Sequence, residues 1–342
     1  MARRLSQRQA RRIRQRQRET EAAGGSRSGR VVAHYGRSVV LEDESGQLRR
    51  CLLRPNLPPL ACGDRVRWAE APGGGVVTAL LPRRSLLARP DRRGRLRPVA
   101  ANLDWILVVT AADAPPDPGL LDRYLVAARA QGIRAALVVN KIDRLPSRQR
   151  RDLEARFAVY RAIGYPVIYT SASTGEGIDA LRELIADGTG ILVGQSGVGK
   201  SSLIKALLPD LDIRIAAVDA TGHGRHTTTT SRLYHLPGGG ELVDSPGVRD
   251  FALWHLDPRD LERGFVEFAP YVGQCRFSNC RHDREPGCAV AAAAERGEIS
   301  PRRLASYRRL LHRIQGQGSE VVGGSRAEPA RQEGSDEPDA GC

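Results

Sequence analysis

At 342 residues the chain is long enough for two or three domains, and its 41% hydrophobic content can build ordinary cores. The net charge of +14 favours a polyanionic partner. No apolar run has the length of a membrane span, and the charged N-terminus is not followed by the apolar segment of a secretory leader, so a cytoplasmic protein is expected. The charge is uneven: residues 1–30 hold ten Arg and two Glu, a net +8 of the +14, which leaves +6 for the rest. Residues 1–29 read as a disordered basic arm suited to RNA contact.

From residue 30 to 83 the texture is that of short strands: Val31–Tyr35, Ser38–Glu42, Leu48–Leu53, Arg65–Ala69 and Gly75–Leu81, separated by Gly, Pro and Asp turns. Five such strands predict a small barrel of the oligonucleotide-binding (OB) type. Tyr35 and Trp68 are its main aromatic side chains, with Trp68 expected in the core. A basic connector punctuated by Pro and Gly, Pro82–Pro98, follows.

Residues 94–253 then alternate strand and helix, the pattern of an α/β domain. Strands are expected at Asp104–Thr110, Ala135–Val139 and Pro166–Tyr169, and helices around Leu120–Gln131, Arg148–Ile163 and Glu176–Ala186. The strand Ala135–Val139 runs into Asn140-Lys141-Ile142-Asp143. A carboxylate at Asp143 can accept from both N1–H and the exocyclic amine of guanine, a pair of donors adenine lacks, while Asn140 braces the loop and the stem of Lys141 lies over the base. The next strand ends in Ser171-Ala172, where the backbone N–H of Ala172 can donate to guanine O6.

The apolar run Ile191–Val193 leads into Gly194-Gln195-Ser196-Gly197-Val198-Gly199-Lys200-Ser201-Ser202, the G-x-x-x-x-G-K-[ST] phosphate loop. Its glycines let backbone N–H groups face phosphate oxygens, Lys200 reaches the terminal phosphates, and Ser201 is placed to ligate Mg²⁺. Of 53 Lys and Arg only Lys141, Lys200 and Lys205 are lysine, so two of three lysines fall in nucleotide motifs, where a slim stem with a point charge fits and a guanidinium does not.

Further on, Arg225-His226-Thr227-Thr228-Thr229-Thr230 precedes Asp244-Ser245-Pro246-Gly247. Asp244 can hold Mg²⁺ through water, the Gly247 N–H can meet the γ-phosphate, and Thr228 or Thr229 can complete the metal shell with GTP bound. Val248 stands where a water-orienting glutamine is common, which predicts slow intrinsic turnover and leaves His226 as the candidate for that role. The guanine boxes come before the phosphate loop, not after it, so the domain is circularly permuted.

Residues 254–314 contain Cys275, Cys280, His282 and Cys288, a Cys₃His set of the kind that closes around one structural Zn²⁺. Cys51, Cys62 and Cys342 are isolated. An Ala-rich helix, Ala289–Ala294, and an Arg-rich one, Pro301–Ile314, complete a mainly helical domain in which Arg302, Arg303, Arg308, Arg309 and Arg313 are candidate phosphate contacts. Residues 315–342 read as a disordered tail.

Taken in that order, Asn140–Asp143, Ser171-Ala172, Gly194–Ser202, Gly224–Thr229, Asp244–Gly247 and the Cys₃His set resemble the bacterial ribosome small-subunit-dependent GTPase A family of circularly permuted GTPases, over residues 30–314. The resemblance implies an OB domain, a permuted GTPase domain and a zinc domain. It implies a slow GTPase stimulated by the 30S ribosomal subunit and its 16S rRNA, acting in late maturation of that subunit and in release of another assembly factor. It also supports His226 as the catalytic group. DNA and membranes are not expected partners, and a monomer is expected. A GTP-gated RNA-binding module in which hydrolysis is incidental is the alternative; mutants that bind GTP without splitting it would then retain function.

Overall fold

The computed structural model describes residues 26–72, 74–91, 95–114, 118–209, 231–245 and 258–322. The Thr segment with His226, Thr228 and Thr229, the residues Gly247 and Val248, and all but the ends of the arm and tail lie outside the described residues.

Five strands form the N-terminal barrel: β1 (Arg27–Tyr35), β2 (Ser38–Asp43), β3 (Leu48–Leu53), β4 (Arg65–Ala71) and β5 (Gly74–Leu80). They run β1-β2-β3-β5-β4, and a β1–β4 pairing closes the ring. Along β4 and β5 side chains alternate between inside and outside, as the two-residue pleat requires. Val31, Val39, Leu41, Cys51, Val66, Val77 and a fully buried Trp68 fill the interior. The strand β1 begins at Arg27, within the stretch expected to be arm, because Arg27 to Arg30 pair with Trp68 to Arg65. Asp64 is fully buried beneath the barrel and is held by the forked guanidinium of Arg83, at 2.7 Å to each carboxylate oxygen.

The connector expected over Pro82–Pro98 is instead ordered as a hairpin, β6 (Leu86–Pro90) with β7 (Leu96–Ala101). Its Leu87, Val99 and Ala100 are buried against the following domain. Next come β8 (Trp105–Ala111), α1 (Pro118–Ala130), β9 (Arg134–Asn140), α2 (Ser147–Ala162), β10 (Val167–Tyr169), α3 (Ile178–Ile185), β11 (Thr189–Val193), α4 (Lys200–Leu207), β12 (Arg232–His235) and β13 (Glu241–Asp244). The sheet order is β10-β9-β8-β11-β13-β12, parallel except for β12, which pairs antiparallel with β13. The central strands β8 and β11 are buried along their whole length, the mark of a parallel sheet covered on both faces. On one face lie α1 and α2; on the other lie α3, whose Ile178, Leu181 and Ile185 share one stripe, and α4, with Leu203, Ile204 and Leu207.

Barrel and sheet are continuous, because β1 also bridges β12 through Ala33 and Arg232. Side chains reinforce the junction. Arg30 pairs with Glu241 and donates to Thr189 Oγ1 at 2.8 Å, while Thr189 donates to Glu241 at 2.6 Å.

The C-terminal unit comprises α5 (Pro258–Gly264), a short 3₁₀ turn (Val266–Phe268), α6 (Ala289–Glu295) and α7 (Pro301–Val322). The helix α7 continues past Ile314 into the stretch expected to be disordered. The core of this unit includes Val126 of α1, and a side chain at Gly264 would meet that valine at 2.6 Å, so glycine lets α5 approach α1 closely. Arg303, expected at a phosphate contact, is buried at this junction, 1% exposed. It reaches Asp122 of α1 at 2.5 Å and forks onto Glu267 at 2.6 and 3.1 Å. Arg308 donates to the His282 carbonyl at 3.1 Å. No described helix is long and apolar enough to cross a membrane.

Candidate nucleotide site and metal centre

In a parallel sheet every strand delivers its C-terminal end to the same edge, and ligands bind along that edge. Here β9 ends at Asn140, β10 leads into Thr170-Ser171-Ala172, β11 leads into Gly194, and β13 ends at Asp244. The described residues expected to meet guanine, phosphate and Mg²⁺ are therefore brought to one edge of the domain, although more than a hundred residues of chain separate Asn140 from Asp244.

Asn140 is 1% exposed and joins three loops. Its Nδ2 donates to the Val198 carbonyl at 3.0 Å, and its Oδ1 accepts from Thr170 Oγ1 and from the Ala172 N–H, both at 3.3 Å. The Ala172 N–H expected to meet a base oxygen is thus held at hydrogen-bond range by Asn140. Lys141 adopts a left-handed conformation, φ 65°, which opens a 3₁₀ turn Ile142–Arg144 and leaves Asp143 exposed at the surface of the edge. A hydrogen bond from Ser171, supported by Ser173, lowers the pKa of Asp143 and keeps it a carboxylate, the acceptor a guanine requires. Asp113, two residues past the end of β8 and unmarked by any motif, takes Arg144 at 2.6 Å and Lys141 at 3.5 Å.

The phosphate loop depends on its glycines. Gly194 has φ 143°, and a Cβ there would lie 2.3 Å from the Val109 carbonyl; at Gly199, φ 94°, it would lie 2.2 Å from Asn140 Nδ2. Both positions combine a left-handed backbone with contact against another loop. Gly199→Ala is expected to push Asn140 off Val198 and to weaken binding of a fluorescent GDP by at least about tenfold, roughly the worth of a charge-assisted or buried hydrogen bond; an equilibrium titration reads it. Lys200 Nζ donates to the carbonyls of Gly194 and Gln195 at 2.7 and 2.6 Å, so its ammonium sits within the loop mouth. Ser201 and Ser202 open α4 with their side chains exposed. Burial raises the pKa of Asp244, and the charge of Arg232 opposes that rise. Ser231, which follows the Thr segment, meets Ser245 at 2.7 Å between hydroxyls.

In the C-terminal unit, the ligand atoms of Cys275, Cys280, His282 and Cys288 all lie within 4.8 Å of one another. His282 Nδ1 stands 3.5, 3.7 and 3.4 Å from the sulfurs of Cys275, Cys280 and Cys288. A tetrahedral zinc, with Zn–S about 2.3 Å and Zn–N about 2.0 Å, separates nitrogen from sulfur by about 3.5 Å, so the donors already lie at the edges of such a tetrahedron. Backbone N–H groups of His282, Ala289 and Ala291 point at the sulfurs of Cys280, Cys275 and Cys288, each at 3.4 Å, as suits thiolates. Glu262, which nothing in the sequence marks, meets the other imidazole nitrogen at 3.0 Å and fixes Nδ1 as the ligand atom. Burial pushes the Cys280 thiol up to about 12 and raises Cys288 as well, so without a cation these sulfurs would stay protonated. By contrast Cys62 is buried and donates to the Val32 carbonyl at 3.0 Å, an ordinary core thiol.

A phosphate-loop strand between β8 and β13, with the guanine boxes earlier in the chain than that loop, defines a circularly permuted GTPase. Comparison with known proteins agrees. The family model for RsgA GTPase matches residues 80–254. The small ribosomal subunit biogenesis GTPase RsgA of Azotobacter vinelandii is 51% identical over 294 residues, covering 84% of this chain and 86% of that protein. Its counterpart in Chromohalobacter salexigens is 53% identical over 294 residues, with the same coverage of each. The crystal structure of YjeQ from Thermotoga maritima superposes with a TM-score of 0.70 at 33% identity, covering 85% of this chain and 99% of that one. The structure of YloQ, a circularly permuted GTPase, gives 0.68 at 28% identity, covering 86% and 96%. The chain belongs to the RsgA GTPase family and is a hydrolase acting on GTP.

Proposed function

We propose that this GTPase acts in the cytoplasm on the 30S ribosomal subunit late in its assembly, that its turnover is accelerated by that subunit, and that hydrolysis times its own departure and that of another assembly factor. The observation that carries this reading is the junction of β1 with β12: the barrel is bridged, at Ala33 and Arg232, to the strand that follows the Thr segment, so a nucleic-acid partner and the γ-phosphate can act on one element. The barrel's closed order, β1-β2-β3-β5-β4, supports the OB type and hence contact with 16S rRNA. The names of the relatives, small ribosomal subunit biogenesis GTPases, supply the particle.

In this reading Asp143, Lys141, Ser171 and Ala172 hold the guanine, Asn140 braces their loops, and Gly194 to Ser202 enclose the phosphates, with Lys200 leaving its loop carbonyls for phosphate oxygens. Ser201, and Asp244 through water, would hold Mg²⁺, which would supply positive charge to the phosphates. His226, Thr228, Thr229 and Gly247 complete the set. Val248 offers no hydrogen bond to water, so the partner must finish the site. Zinc, held by the Cys₃His set, has a structural role because four protein donors leave no open position.

The test is GTP turnover by the purified chain alone, with 30S and with 50S subunits, at one moderate salt concentration, because charge-driven binding depends steeply on ionic strength. Acceleration by 30S well above any by 50S is expected. GTP binding with no response to either particle would overturn the ribosomal role in favour of a GTP-gated RNA-binding module.

A further inference from the structure

The buried charges between α1 and α7 are an unusual way to join two units. Arg303 of α7 and Asp122 of α1 are 1% and 0% exposed. Burial opposes the charge on Arg303, yet the hydrogen bonds it donates to Glu267 and the charges of Asp122 and Glu267 more than offset that and raise its pKa. The network is also incomplete. Both Arg303 Nη1 and the Tyr160 hydroxyl bond Asp122 Oδ1, at 2.5 and 2.9 Å, while Asp122 Oδ2 is buried without a hydrogen-bond partner among the described residues. A buried ion network often adds less stability than apolar side chains of the same volume would, while its fixed geometry locks the two helices in one relative position.

What it positions follows from the contacts beyond it. The Arg303 guanidinium lies 5.6 Å from the ring of Tyr160, near the C-terminal end of α2. Tyr160 packs on Phe157 with centroids 6.0 Å apart, and Phe157 meets Tyr169 edge-on at 6.4 Å. Tyr169 is the last residue of β10, directly before Thr170-Ser171-Ala172. The loop after it is pinned, too: a Cβ at Gly177 would sit 1.9 Å from the Tyr169 carbonyl. The helix α2 itself follows the 3₁₀ turn that carries Asp143. Contacts therefore run without a gap from the Cys₃His unit to both loops of the guanine pocket.

We propose that Arg303 is a positioning residue for the guanine pocket, acting through Tyr160, Phe157 and Tyr169 to set the place of Ser171 and Ala172. The inference rests on the guanine-pocket reading above. It makes the C-terminal unit part of the nucleotide affinity, with base recognition as the affected term and phosphate binding left intact.

The experiment uses the full chain and two variants: Arg303→Lys, which keeps charge but loses the fork and the stacking, and Phe157→Leu, which breaks the ring relay while leaving every polar group of the ion network in place. Dissociation of a fluorescent GDP is timed, and inorganic pyrophosphate, which occupies only the phosphate loop, is titrated separately. Each variant is expected to release GDP about five- to tenfold faster while pyrophosphate affinity holds. The double variant is expected to be no faster than the worse single one, since both act on one path. GDP release within twofold of wild type, or parallel loss of GDP and pyrophosphate, overturns the inference; should Arg303→Lys fail to fold, Phe157→Leu alone decides it. A wild-type chain that binds pyrophosphate and not GDP would overturn the guanine-pocket reading, and the inference with it.

Discussion

Replacing Asp143 by asparagine is expected to exchange guanine for xanthine preference. In the guanine-pocket reading the carboxylate takes two hydrogen bonds from the base, each to a charged acceptor and each worth about 1.5–3 kcal/mol. Losing the pair costs about 3–6 kcal/mol, or about two to four powers of ten in affinity. Asparagine keeps an oxygen for N1–H and turns an amide N–H where the exocyclic amine was. Xanthine, with a carbonyl in place of that amine, then fits and guanine clashes. The change should leave the framework intact, because Asp143 is exposed and its backbone lies in a 3₁₀ turn held from Thr170, whose carbonyl accepts from the Ile142 N–H at 3.2 Å. Parallel titrations with GDP and xanthosine diphosphate check it. A variant that still prefers GDP would remove Asp143 from the pocket.

The second large effect is expected at the Cys₃His cluster. Cys288 caps α6, accepting from the Ala291 N–H, and its sulfur is also one corner of the Cys₃His set. The aromatic cluster of Phe265, Phe268 and Tyr307 packs directly on His282, with Phe268 and Tyr307 centroids 6.1 and 6.2 Å from the imidazole. Structural zinc contributes an apparent ~10–16 kcal/mol to small folded units, as much as or more than the ~5–15 kcal/mol by which whole domains are stable. Cys288→Ser, or a strong chelator, should therefore unfold residues 258–322 with little change in the barrel. One zinc per chain by elemental analysis, lost in Cys288→Ser together with near-ultraviolet dichroism from the aromatic cluster, is the expected result. A chain purified without metal, and as resistant to protease as before when chelator is added, would remove the zinc.

What sequence alone made legible was whatever chemistry crowded into a few consecutive residues. The phosphate loop, the Asn140–Asp143 box and the Cys₃His spacing are such runs, and the buried strands β8, β9 and β11 announce themselves as unbroken apolar stretches. Other features depend on partners far away in the chain. Arg303 reads as one more candidate phosphate contact because Asp122, 181 residues earlier, is not visible in its helix. The hairpin Leu86–Ala101 hid behind Pro82, Pro90 and Pro98, and β12 is only four residues long, so its place came from β13 and β1 and not from its own pattern. Glu262 gained its meaning from the imidazole it orients. The start of β1 was misplaced for a related reason: Arg27 to Arg30 are polar enough to read as arm, and only the β4 ladder makes them strand.

The bridge between Ala33 and Arg232 has one more consequence. Without it β12 would be the outer margin of the sheet, presenting unpaired N–H and C=O groups, and such margins recruit other chains. Because β1 bridges it at this pair and then curls into a closed ring, the barrel shields that margin of the sheet. A nucleotide domain cut free of residues 26–81 would lose that cover and expose the β12 margin to other chains.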